Sequence, residues 1–239
     1  MELSITQVPL WLSLSFIVSF VTVPVFLIAQ AAKAACSQGS IKDGDKIAKR
    51  IILFYWVFLA IVGLVSLSGY YMENVLPPRI MVFTIIPLFL FYMIYVSRST
   101  WFKLIFEHIR LEQLIFIHIF RFVGVFFFLI YIYDAIPLEF ALAGGIGDLV
   151  AATLVFPVIA ALRMKRSYAK LLVWIWNIIG LLDIISVLAT ALILTHKAIP
   201  INEVGVQQIT TFPFSWIPAF APATIVFLHI LVLRKLKEL

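Results

Sequence analysis

An all-α, polytopic transmembrane helix bundle of seven spans is the fold class this sequence predicts, and three observations predict it. Of 239 residues, 64% are hydrophobic and 13% charged, against about 45–50% and about 25% in a soluble domain. The apolar residues form long continuous runs, with a mean hydropathy of +1.11. The basic residues collect in every second gap between those runs. Such proportions exclude a soluble, disordered, collagenous or disulfide-stapled chain, and the single Cys36 has no partner for an intramolecular disulfide. A net charge of +6 would suit nucleic acid only as a basic patch on a water-exposed fold. The expected partners are therefore the lipid bilayer and an unidentified small molecule or ion, with no nucleic acid.

A spanning helix needs about 20 mostly apolar residues to cross a hydrocarbon core about 30 Å thick. Stretches at about 9–32, 51–71, 80–97, 113–133, 140–162, 171–194 and 213–233 qualify, in one domain covering 1–239. Their continuous apolar character and their length favour helices over barrel strands. The third span is the shortest, and Pro87 lies near its middle. Between spans three and four, segment 99–112 places Lys103, Glu107 and Arg110 at helical spacing. It reads as an interfacial helix or a cytoplasmic extension of span four. The loop at about 195–212, with Asn202, Glu203, Gln207 and Gln208, reads as a connection, or alternatively as a lid over a site.

The gaps after spans one, three, five and seven, with the C-terminus, carry 15 Lys and Arg, and the alternate gaps carry 2. Basic loops stay cytoplasmic, so the N-terminus is expected outside and the C-terminus in the cytoplasm. Ala34-Ala35-Cys36 resembles a signal-peptide cleavage site. However, Met1-Glu2-Leu3 lacks a basic residue and the positive charge follows the apolar run, so a retained first span with an unmodified cytoplasmic Cys36 is expected. Trp11, Trp216, Tyr70, Tyr71, Tyr131 and Tyr133 at one side, and Tyr95, Trp101, Trp174 and Trp176 at the other, read as interface anchors.

Ionisable residues inside spans are costly and mark function or a structural pair. All of the deep ones fall in spans four to seven, as His118, Arg121, Asp148, Asp183 and His229, and the polar amide of Asn177 lies among them. Counting from the cytoplasmic span ends gives two layers. Arg121, Asp183 and Asp148 lie about 12–21 Å deep, and His118, Asn177 and His229 about 6–9 Å. Arg121 is permanently charged and needs a counter-ion in lipid. One reading is a structural ion pair locking the helices. The other starts from the surplus carboxylate, which one arginine cannot neutralise and which must be protonated or bind a cation. His118 and His229 read as packing histidines, as a proton relay, or as ligands of a b-type haem. No cofactor is otherwise predicted, no metal ligands, and no catalytic residues.

Span five opens Ala143-Gly144-Gly145-Ile-Gly147-Asp148, where small residues at four-residue spacing permit close helix packing. Alternatively, Gly144 and Gly147 clear room for a ligand beside Asp148. In span seven, Pro218, Pro222 and His229 share a face. Each proline is expected to free a carbonyl four residues back, at Phe214 and Pro218. Such broken helices around a polar cluster suit a transporter.

Arg121-Phe-Val-Gly124, Gly145-Ile-Gly147-Asp148, Trp176-Asn177-Ile-Ile-Gly180-Leu-Leu-Asp183 and Ile217-Pro218-Ala-Phe220-Ala-Pro222, ending in Leu228-His229, resemble an uncharacterised family of bacterial multi-spanning membrane proteins. The resemblance covers about residues 121–236. It implies a bacterial inner-membrane setting and carries no activity with it. Retinal chemistry is excluded, since no lysine lies between Pro213 and Leu233 to form the Schiff base. The leading reading is a small transporter or permease with a proton- or cation-linked cluster in spans four to seven. A haem or other cofactor protein and a non-catalytic scaffold or sensory partner are the alternatives.

Overall fold

In lipid every backbone N–H and C=O must be satisfied within the segment, so continuous apolar runs become helices. The computed structural model describes residues 3–201 and 205–238; Met1 and Glu2 of the signal-peptide argument, and Asn202 and Glu203 of the long loop, lie outside the described residues. The chain forms α1 (Leu10–Gln38), α2 (Gly44–Leu67), α3 (Met81–Val96), α4 (Thr100–His108), α5 (Leu111–Ile132), α6 (Leu138–Arg163), α7 (Ala169–Ala198) and α8 (Trp216–Leu236). Six of these are long and apolar enough to cross a membrane, and the bent pair α3–α4 makes up to seven. Pro9 and Pro137 stand immediately before α1 and α6, where a missing N–H costs nothing. Ala34-Ala35-Cys36 lies within α1, with Cys36 buried.

α8 is the shaft of the bundle. In its most apolar stretch 78% of residues are buried, against 22% for α7, so α8 meets protein on nearly all sides while α7 presents most of its surface to lipid. Aromatic rings fill the space around the shaft. Phe20 of α1 packs edge-on against Phe220, with ring centroids 5.6 Å apart, and Phe16 against Phe126 of α5 at 5.1 Å. A polar tie crosses the same half: Tyr92 Oη donates to Tyr55 Oη at 3.1 Å and lies 3.0 Å from Thr224 Oγ1. It joins α2, α3 and α8 where no water competes.

Pro87 leaves its mark on α3. The winding widens to π turns at Met81–Ile85 and Phe91–Val96, either side of Ile86–Leu90. A proline removes one N–H and crowds the carbonyl four back, and insertions of this kind accompany kinks. The chain then turns by 86° into α4. Ile109 and Arg110 are extended, so α4 is separate from α5 and is not the extension of span four. It lies across one end of the bundle, burying Ile105 and Phe106. Lys235 Nζ donates to the carbonyls of Phe106 (3.1 Å) and Glu107 (2.9 Å), satisfying the C-terminus of α4 as a cation does best.

The two ends of the bundle differ. At the basic end, the Gly39 turn packs against the His108 ring and Lys235 caps α4. At the other end, Ser4 and Thr6 pair with the backbone of Phe212 through Phe212 N to Ser4 O (3.2 Å) and Thr6 N to Phe212 O (2.9 Å). Ser66 Oγ donates to Thr210 O at 2.8 Å and Thr210 Oγ1 to Tyr71 O at 3.1 Å. The described part of the long loop is thus fastened to three other segments. Trp11, Trp101 and Trp174 are exposed at the bundle surface, but Trp176, Trp216 and Tyr71 are buried and are not interface anchors. Trp216 Nε1 donates to Leu59 O at 2.8 Å, and Trp176 Nε1 to Ala151 O at 2.9 Å. Each indole has found a carbonyl on a neighbouring helix, and burial follows from that satisfied donor.

Candidate functional site

Four helices each contribute one side of a single buried polar cluster. The unusual element is α5, whose middle, His118–Gly124, is wound as a seven-residue 3-10 helix between two α-helical halves. Runs beyond three or four residues are uncommon, and at three residues per turn every third side chain eclipses the last. His118, Arg121 and Gly124 therefore stand in one column, and all three are buried. An α-helix would have rotated them progressively apart.

Arg121 is the hub. Its Nε donates to Asp148 Oδ1 of α6 at 2.7 Å, and its Nη2 to Asp183 Oδ2 of α7. Its Nη1 lies 3.4 Å from Nε2 of His229 on α8. A guanidinium only donates, so the lone pair of His229 Nε2 faces it and the ring proton sits on Nδ1. That nitrogen is 2.9 Å from Asn177 Oδ1, which accepts, so the geometry assigns His229 as a neutral imidazole between Arg121 and Asn177. The ring of His118 packs against His229 with centroids 4.3 Å apart and meets Trp176 edge-on at 4.9 Å. Both His118 ring nitrogens and Asn177 Nδ2 are buried without a hydrogen-bond partner among the described residues. Arg121, His118, Asn177 and His229 are fully buried, and Asp148 and Asp183 nearly so.

Glycines make the approach possible, and they do so in rotation. A Cβ on Gly124 of α5 would stand 2.6 Å from Asp148 Cβ of α6. One on Gly147 of α6 would overlap the carboxylate of Asp183 of α7, and one on Gly180 of α7 would meet the His229 ring of α8 and Arg121 Nη1. Each helix thus presents a bare backbone to the polar side chain of the next. Gly147 does not clear room for a ligand beside Asp148: the space is filled by Asp183. Gly144 is filled likewise, with a Cβ there 2.8 Å from the Phe127 ring. Close helix packing is the use the structure makes of both.

Two further expectations change. The six polar residues form one connected cluster and not two layers, because α8 continues to Leu236, about one turn past the expected end. His229 is correspondingly deeper and meets Arg121. Pro218 falls in the first turn of α8, where an N–H has no intrahelical acceptor to lose; Phe214 O accepts from Ile217 N at 3.0 Å and is not freed. Pro222 lies inside the helix and remains the one break of the pair. Gly124 and Gly180 were legible but unassigned. Each of Arg121, Asp148 and Asp183 has a glycine within three positions on its own helix, one group to insert and one place to receive.

Chemically, the cluster sets one permanent cation between two carboxylates and one neutral imidazole, sealed by protein. The contact between the His118 and His229 rings leaves no gap of porphyrin thickness and breadth between them, so this arrangement does not sandwich a haem. Among the described residues, no group of three or more His, Cys, Asp or Glu side chains converges as a metal site.

A family model described as a domain of unknown function, DUF8737, matches residues 76–237. The match runs from before α3 to just past the end of α8, so it takes in α3 and α4 as well as the region about 121–236 that carried the resemblance. No curated protein and no solved structure matches the chain. With all four helices of the Arg121 cluster inside the matched segment, the chain is an integral membrane protein that belongs to the DUF8737 family.

Proposed function

We propose that the protein is a proton-linked transporter or permease of a bacterial inner membrane, with its basic end in the cytoplasm and the Arg121 cluster as its proton site. The reading rests on one observation: a single buried guanidinium is shared by two buried carboxylates. A surplus negative charge sealed from water costs several kcal/mol. The closed bundle is therefore stable with a proton on the pair, and opening to water releases it. Within the one connected cluster, His118, Asn177 and His229 are the members fewest residues from the basic-end termini of α5, α7 and α8. They supply the groups a proton would use to leave toward the cytoplasm. Pro87 and Pro157 supply bending points in α3 and α6. The basic asymmetry of the loops supports the orientation.

Proteoliposomes with a trapped pH-sensitive dye test this. Under an imposed proton gradient the wild type is expected to acidify the lumen faster than empty vesicles. Asp183→Asn should abolish that flux while eluting as a monodisperse, folded protein. Normal flux in the folded variant overturns the reading. A second reading, a purely structural lock, is favoured by the rotation of glycines that closes the cluster. It predicts no flux in either protein and a large loss of melting temperature in the variant.

A further inference from the structure

Two adjoining cavities at the basic end share Phe116 and Arg163 and together form a groove at the bundle surface, where Phe116 and Phe156 are exposed. The first, about 310 Å³, lies between α1, α5 and α6 and is lined by Arg110, Glu112 and Leu27 among others. The second, about 350 Å³, continues along α6 past Ile159 and Phe156. We propose that this groove is a binding site for an anionic phospholipid of the basic-end leaflet, with the headgroup phosphate on Arg110 and Arg163 and an acyl chain along Phe116, Ile159 and Phe156.

Arg163 ends α6 and Arg110 immediately precedes α5, so both guanidiniums stand at the level where the bundle leaves the hydrocarbon. Neither has an ion-pair partner among the described residues, although Asp45, Asp43, Glu73, Asp148, Asp183 and Glu238 all have one. Glu112 in the same lining cancels one of the two charges and leaves a net +1. A phosphodiester carries a single negative charge, which matches. A zwitterionic headgroup brings its own cation and gains less.

Phe156 lies two turns along α6 from Arg163, and Leu27 about three turns along α1 from Gln38, so the groove descends about 10–16 Å from the basic end into the apolar layer. Phe116 and Phe156 are 43% and 53% exposed and give a chain flat aromatic walls. A groove that is basic at its mouth and apolar below has the polarity order of a lipid entering from that leaflet. This site is separate from the Arg121 cluster and does not depend on its role.

The test is native mass spectrometry of the full chain from detergent micelles doped equally with phosphatidylglycerol and phosphatidylcholine. The wild type is expected to retain phosphatidylglycerol selectively. Arg110→Gln with Arg163→Gln should lower that retention about 30-fold, from the strength of basic side chains at an anionic surface. Ala160→Trp, which fills the second cavity without touching either charge, should lower it as well. Equal retention of the two lipids, or retention unchanged in the charge variant, overturns the proposal. So does displacement of the lipid by soluble glycerol 3-phosphate at comparable concentration, because the site would then read a phosphate alone.

Discussion

Arg121→Met is expected to destabilise the protein by about 3–5 kcal/mol, the cost of breaking a buried pair by removing one partner. Methionine occupies similar volume and keeps the apolar contacts, so the loss isolates the charge. Asp148 and Asp183 would be left facing each other with no cation, and the acceptor nitrogen of His229 without its guanidinium. Adding Asp148→Asn and Asp183→Asn to Arg121→Met should recover most of the loss. The penalty belongs to uncompensated charge, and an uncharged cluster of the same shape does not carry it. Thermal unfolding in a mild detergent, followed by loss of the near-ultraviolet signal of the buried Trp176 and Trp216, measures both. A triple variant no more stable than the single one would mean that Arg121 holds the helices by packing.

Gly147→Ala should be nearly as damaging, and its sign is the informative part. In a helix interior alanine is favoured over glycine by about 1 kcal/mol, so a position with free space would gain stability. Here the new methyl overlaps the carboxylate of Asp183 and displaces it from Arg121. Set against the cost of a broken buried pair, the propensity gain loses, and a net loss of about 2–4 kcal/mol is expected. Ile146→Val, one residue away on the exposed side of α6, should change stability by less than about 0.5 kcal/mol. A stabilised Gly147→Ala would show that Asp183 has room to withdraw and that the cluster is not interlocked.

Much of this architecture was legible because it follows from amounts of material. The apolar runs fix the helices, and in lipid a run of that length has no other satisfied conformation. The amphipathic segment 99–112 yielded α4 because charge and apolarity separate along it. The polar residues that assemble were also the ones that stood out, since an arginine and two aspartates in apolar spans have few alternatives to one another. What escaped the sequence depends on winding and contact. No proline marks the tight turns at His118–Gly124, and Pro87 announces a break in α3 without announcing that the winding on either side widens. Composition gives no sign that His118 and Arg121 will share a column. Trp176 and Trp216 looked like interface anchors because they sit near span ends; each went inward because a carbonyl on the next helix was within reach of its indole N–H. His229 was placed too shallow because α8 runs on to Leu236. The glycines read as packing or as a ligand's space, and only their partners decide between the two.

On the proposed function, one guanidinium between two carboxylates obliges the closed bundle to hold a proton. Infrared spectroscopy of the protein reconstituted in lipid, at neutral pH in H2O and in D2O, reads this directly as the C=O stretch of a buried carboxylic acid. That band is expected in the wild type, shifted on deuteration, and absent from both Asp148→Asn and Asp183→Asn, where one carboxylate is matched by one guanidinium. A wild-type spectrum identical in this region to those of the two variants would contradict it.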